Sequence, residues 1–160
     1  DGRKLEYLVG GDPDGVAVLC VSIQFGSCFG YAGPLFDSAA QKGIKIVSIT
    51  VPGFGLSDGY PLGVDRSVSA FPGDVALIVK AEKLNFFHIH SVSAGSVYAA
   101  MIAITFPDSM VGNVCISAPP TDPGAPGMKE LGSKGESPMV KIMKGLASAP
   151  FAGDCLGYIF

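Results

Sequence analysis

Apolar positions in this chain fall into short runs of strand length, divided by glycine- and proline-rich breaks and by longer stretches of helical spacing. Residues 16–22 and 44–51 are nearly continuous aliphatic runs, as expected of strands covered on both faces. Residues 86–91 and 111–117 predict two further strands, with polar residues among the apolar ones. Between the runs lie three stretches that predict helices: about 34–42, closed by Gly43, about 74–83, whose start is marked by Pro72-Gly73, and 94–106. Residues 3–9 predict an edge strand or hairpin arm, with residues 10–15 (Gly-Gly-Asp-Pro-Asp-Gly) as its turn, and residues 52–60 predict a loop. Strands alternating with helices imply an α/β fold with three layers and a mostly parallel sheet.

After Ala118 the pattern changes. Residues 119–127 hold four prolines and two glycines, and residues 129–144 carry four lysines against two glutamates. The expected organisation is one α/β unit over residues 1–120, then a linker and the start of a cap-like or partner-docking segment over 121–160. No internal repeat is evident.

Composition narrows the function. Charged residues are 16% of the chain, against about 25% in ordinary soluble domains. The mean hydropathy is +0.43, so the chain is short of groups to cover its own exterior, and burial by a partner is expected. A net charge of -3 without clustered lysine or arginine lacks the footprint of a nucleic-acid binder. Residues 15–36 and 84–107 lack Asp, Glu, Lys and Arg and exceed the ~20 residues that cross a bilayer. Their internal serine, glycine and histidine positions break each into strand, turn and helix, and neither reads as a membrane span. Asp1 follows no initiating methionine or leader pattern, so a processed chain, or one beginning partway through a precursor, is expected.

The candidate chemistry centres on Ser91-Val92-Ser93-Ala94-Gly95, which joins the strand over 86–91 to the helix over 94–106. A sharp strand-to-helix turn with Ser93 at its apex lifts a hydroxyl to the carboxyl edge of a parallel sheet, above the first amides of a helix. Two histidines, His88 and His90, precede Ser93 on the same strand and share one face by the two-residue alternation; buried, hydrogen-bonded strand histidines are expected. Asp58 and Asp74 read as loop and helix-start residues. Four cysteines, at 20, 28, 115 and 155, show no metal-ligand spacing. Cys20 and Cys115 fall in strands expected to be buried, and a reducing intracellular compartment, an organelle included, follows as an expectation.

Three motifs in this order resemble the amino-terminal part of the α/β-hydrolase family, the epoxide-hydrolase, esterase and lipase-like branch. They are Asp1-Gly2-Arg3-Lys4-Leu5 with Gly11-Asp12-Pro13, then Pro52-Gly53-Phe54-Gly55-Leu56-Ser57-Asp58, then the Ser93 elbow, written G-x-S-x-G with its first glycine replaced by Ser91. The resemblance covers about residues 1–120. It implies a truncated α/β-hydrolase sheet, with Ser93 as nucleophile, the backbone N–H groups of Gln24 and Ala94 as oxyanion hole, and Asp122 at a place where some relatives carry the acid.

This chain departs from the pattern in two ways. Where the family has His-Gly after its third strand, residues 22–27 read Ser-Ile-Gln-Phe-Gly-Ser. A β-branched Ile23 resists the backbone angles a glycine adopts, and an oxyanion donor contributes about 2.7–4 kcal/mol to catalysis. Moreover, no histidine follows Ser93, and a serine hydroxyl needs a base to become a nucleophile. The main expectation is therefore a catalytically silent α/β-hydrolase-like domain, an accessory or structural subunit whose partner proteins cover the open edge at Val111–Ser117 and the apolar faces. The alternatives are a serine hydrolase of the ester-cleaving kind, whose acid and histidine lie outside this chain, and a module that binds an apolar small molecule. No metal or organic cofactor is called for by any of the three.

Overall fold

The computed structural model describes residues 2–21, 27–63 and 67–118. Five strands form one sheet: β1 (Tyr7–Gly11), β2 (Val16–Val21), β3 (Ile44–Ile49), β4 (Phe87–Val92) and β5 (Val111–Ser117), in the order β1-β3-β2-β4-β5. The pairs β2–β3, β2–β4 and β4–β5 are parallel, and β1 lies antiparallel on the outer side of β3. The helices are α1 (Cys28–Ala32), α2 (Phe36–Gln41), α3 (Phe71–Ala81) and α4 (Gly95–Thr105). The expected three-layer, mostly parallel α/β architecture is the one observed.

Alternation along the strands divides the core in two. Leu19, Val21, Val47, Ile49, Phe87 and Ile89 face α3 and α4, where Phe71, Val75, Ile78, Ala99 and Ile102 close over them. On the other face Cys20 and Ile46 pack with Ala32 of α1 and Ala39 of α2. Full burial of each large apolar side chain contributes roughly 1.5–3 kcal/mol, so the layer under α3 and α4 holds most of the fold together.

Local boundaries depart from the sequence pattern for identifiable reasons. The first strand is an edge strand, but not a hairpin arm with β2: Tyr7 pairs with Ile49 and Gly11 with Lys45. Gly10 and Gly11 belong to the strand and not to the turn, paired with Ile46 and Lys45, and the Phe36 ring lies where a Cβ on Gly10 would stand. The predicted single helix over 34–42 is two short helices that begin at Cys28, joined by a 3-10 turn over Gly33–Leu35. Pro34 lacks the N–H that a continuous helix would use there. Helix α3 starts at Phe71, three residues before Asp74, and Pro72 sits in its first turn, where a missing donor costs nothing. Strand β5 carries the bounds expected of it and is, among the described residues, the open edge expected of it, but Cys115 is exposed where a buried residue was expected. The expected segment over 121–160 lies outside the described residues, as does Cys155.

One long-range polar cluster ties the amino-terminal segment to α3. The Asp74 carboxylate is buried and accepts hydrogen bonds from Arg3 Nη2 at 2.6 Å, Arg3 Nη1 at 3.2 Å and the Tyr60 hydroxyl at 2.8 Å. The Arg3 guanidinium also stacks 4.3 Å from the centre of the Tyr60 ring, and burial pushes the Tyr60 phenol well above its usual range. Asp74 is thus more than the helix-start residue that its position suggested. Removing one partner of such a pair leaves the other charge desolvated. Asp74→Ala is expected to lower the stability of the chain by about 3 kcal/mol, read as a shift in the urea midpoint; an unchanged midpoint would show that the pair carries no net stability.

Candidate active site

Strand β4 lies between β2 and β5 and ends at Val92, and α4 begins at Gly95. The chain turns between them through Ser93, whose φ is +54°, one of the few non-glycine residues with left-handed backbone here. Ala94 is already helical, at φ -59° and ψ -21°. A single left-handed residue therefore converts strand into helix, and its side chain is exposed at the carboxyl edge of the sheet.

Two backbone bonds hold the turn. The Ser93 N–H donates to the Ser117 carbonyl at 2.9 Å, and the Ser93 carbonyl accepts from the Ser96 N–H at 3.0 Å. Gly95 and Ser96 are buried beneath it. Ala94 stands where the first amides of a helix lack an intrahelical acceptor and can meet an anion. Ser91, at the position of the motif's first glycine, is fully buried, and among the described residues its Oγ has no hydrogen-bond partner. It pairs with Val21 and Ile116 in an apolar layer.

The two histidines are half-buried and hydrogen-bonded in the sheet, on the face of α1. His90 Nδ1 shares a 2.6 Å hydrogen bond with the Tyr31 hydroxyl, its ring stacks on Tyr31 with centroids 5.9 Å apart, and its Nε2 lies 3.5 Å from Ser117 Oγ. His88 Nδ1 accepts the Asn113 N–H at 2.9 Å, which places the proton of the neutral ring on Nε2. Three residues of extended chain span about 10 Å, so His90 stands far from Ser93; its ring meets Tyr31 of α1, and that of His88 meets β5. Desolvation pushes the Tyr31 phenol up, so it meets His90 as a neutral hydroxyl and not as an anion. Cys20, in the row of His90 and Cys115, is pushed up to about 12 by burial and is inert as a nucleophile.

The loop after β3 is pinned from below by the amino-terminal segment. Glu6 accepts hydrogen bonds from the Thr50 hydroxyl at 2.7 Å and the Leu56 N–H at 3.1 Å, and Thr50 Oγ1 accepts the Cys28 N–H at 2.7 Å. Ser57 Oγ accepts from the Glu6 N–H at 2.8 Å and donates to the Thr50 carbonyl at 3.0 Å. Asp58 is a loop residue, as expected, and its carboxylate caps the Lys4 N–H at 2.7 Å. Gly55 has φ +52°, and a Cβ there would collide with the Glu6 carboxylate. Glu6, Thr50 and Tyr31 carry no local sequence signal and were not among the expected site residues. Gln24 and Asp122 lie outside the described residues. Among the described residues no three His, Cys, Asp or Glu side chains are grouped to hold a metal ion, and no helix is long and apolar enough to cross a membrane.

This arrangement of sheet, elbow and flanking helices is the α/β-hydrolase fold. Solved structures with it include an enzyme described as degrading N-acyl homoserine lactones, with 21% identity and a TM-score of 0.66 over 91% of this chain and 54% of that one. An esterase from Thermogutta terrifontis has 21% identity and a TM-score of 0.61 over 81% of this chain and 45% of its own. A monoacylglycerol lipase from Paleococcus ferrophilus has 24% identity and a TM-score of 0.58 over 92% and 52%. At these identities the likeness is one of fold, and the chain spans about half the length of these structures. No family model matches the sequence, and no curated protein is significantly similar to it.

Two stability measurements test the geometry of the elbow. Left-handed backbone costs a residue with a Cβ about 1–2 kcal/mol, and glycine gives back about 0.4–1 through the unfolded chain. Ser93→Gly is therefore expected to be more stable than Ser93→Ala by about 0.5–1 kcal/mol; equal urea midpoints would mean that Ser93 is not held left-handed. Ser91→Ala removes an unpartnered buried hydroxyl and is expected to raise stability by about 1 kcal/mol, whereas a loss would reveal a partner for that oxygen.

Proposed function

We propose that this chain is an α/β-hydrolase-like domain that is catalytically silent in this form and serves as an accessory or structural subunit of a larger protein assembly. The observation that carries this reading is the state of the chain's two histidines. Both precede Ser93, and both spend Nδ1 on hydrogen bonds away from it, His88 to the Asn113 N–H of β5 and His90 to the Tyr31 hydroxyl of α1. A serine hydroxyl without a base is a weak nucleophile. The role in an assembly draws support from β5. Val114, Cys115 and Ile116 are exposed along an edge strand that carries no charged residue and no proline, a surface that folded proteins ordinarily cover.

A second reading is favoured by one observation, the left-handed Ser93. Strain at a non-glycine residue is retained where a function uses it, and a serine hydrolase that takes its acid and histidine from outside these residues would use it. In that case Ser93 is the nucleophile, Gln24 and Ala94 keep the oxyanion role the resemblance gives them, and the bond cleaved is an ester.

One experiment separates the two readings. The protein as its own cells produce it, with whatever further chain or partner accompanies these 160 residues, and its Ser93→Ala variant are incubated with a fluorophosphonate probe, and incorporation is followed by intact mass. No saturable labelling is expected, with the variant indistinguishable from the native chain. Stoichiometric labelling that is lost in Ser93→Ala would overturn the silent reading in favour of the second.

A further inference from the structure

The β4–β5 ladder contains a one-residue irregularity. Phe87 pairs with Val111, but Ile89 pairs with Val114, so Gly112 and Asn113 together stand opposite His88 alone. This is a β-bulge in a parallel pair, where bulges are rare. Beyond it the register runs Ile89 with Val114, His90 with Cys115, Ser91 with Ile116 and Val92 with Ser117.

A bulge leaves an amide without its ladder partner. Here the Asn113 N–H is taken up by His88 Nδ1 at 2.9 Å. The ring reaches that amide because residue 112 is glycine: a Cβ there would stand 2.6 Å from His88 Nδ1 and Cε1 and 2.7 Å from Phe86 Cζ. Phe86 holds the imidazole edge-on, with ring centres 5.2 Å apart and planes at 89°.

Register on this strand decides what meets the elbow. With the bulge, the Ser117 carbonyl lies 2.9 Å from the Ser93 N–H. Val114 and Ile116 then share the face of Ile89 and Ser91, and Cys115 and Ser117 share that of His90. Continuing the Phe87–Val111 register without the bulge would bring Ser117 opposite Ser93 and not Val92. Every side chain from Asn113 to Ser117 would exchange faces. The carbonyl that holds the left-handed residue would then be one position out of step.

We propose that His88 and Gly112 form a register lock, and that His88 is a positioning residue for the Ser93 turn, acting through Asn113 and β5. The imidazole serves as a hydrogen-bond acceptor fixed in the sheet, and the proposal stands whether or not Ser93 is ever acylated.

Amide hydrogen exchange on the full 160-residue chain tests it, with His88→Ala and His88→Asn compared to the native protein. The Oδ1 of asparagine occupies the place of Nδ1, so this variant keeps the acceptor. In His88→Ala the Asn113 and Ser93 amides are expected to exchange at least tenfold faster, while those of Leu19 and Val47, at the β2–β3 pairing, keep their native rates. His88→Asn should restore both amides to within about threefold of native. Unchanged Ser93 exchange in His88→Ala, a uniform acceleration across the sheet, or a failure of His88→Asn to restore protection would each overturn the proposal. Should His88→Ala not fold, the native chain decides: an Asn113 amide slowed at least tenfold relative to an unstructured peptide supports the lock, and one exchanging freely overturns it.

Discussion

One left-handed residue makes the connection between β4 and α4, and the remainder of the site is arranged around that constraint. A parallel strand runs into a helix packed on the same sheet within two residues, Ser93 and Ala94. Only a sharp change of backbone sign achieves this in so short a span. The cost of about 1–2 kcal/mol is small beside the burial of Phe87, Ile89, Ala99 and Ile102, each 0–1% exposed, on either side of the turn. The flanking strands act as a clamp: β2 fixes β4 along its length, and β5 supplies the carbonyl that receives the Ser93 amide. The strain is local, and the restraint comes from elements distant in sequence.

The amino-terminal segment does a related job for the loop after β3. Arg3, Lys4 and Glu6 each join residues more than forty positions away, at Asp74, Asp58 and Thr50. Backbone groups of a glycine-rich loop that would otherwise be solvated are satisfied by one carboxylate and one serine hydroxyl. Gly53 and Gly55, both at positive φ, let the loop fold close against Glu6. A rigid loop at the carboxyl edge costs little ordering entropy when it meets another molecule.

The strands were legible because their signal is local. Aliphatic runs at 16–22 and 44–51 can hide only in a sheet covered on both faces, and β5 fell at the residues predicted, 111–117. The elbow was legible too, since small residues beside Ser93 allow the turn that the backbone makes. Pairing was not legible: nothing within residues 3–15 says that β1 passes over its sequence neighbour to join β3, since its partners, Lys45 to Ile49, lie some forty residues on. Helix continuity failed at Pro34, where the apolar spacing continues but the donor is missing. The bulge was invisible because it requires His88, Gly112 and Asn113 together, and a histidine in a strand carries no mark of which atom it serves. Cys115 misled for a related reason: an apolar run predicts burial, whereas an edge position depends on what lies beyond the last strand.

The silent and the active readings share one physical requirement. Both need material against β5, either to cover Val114 and Ile116 or to bring a base to Ser93, and both demands meet at the same edge because the Ser117 carbonyl of β5 holds the elbow. Among the described residues no strand lies beyond β5, and a strand added there would meet no charge to repel it. It would also stiffen the strand whose register fixes Ser93. In both readings the covering of β5 and the holding of the elbow meet at one strand, to which His88 also contributes. His88 holds β5 to β4, and His90 binds Tyr31 across the face of α1.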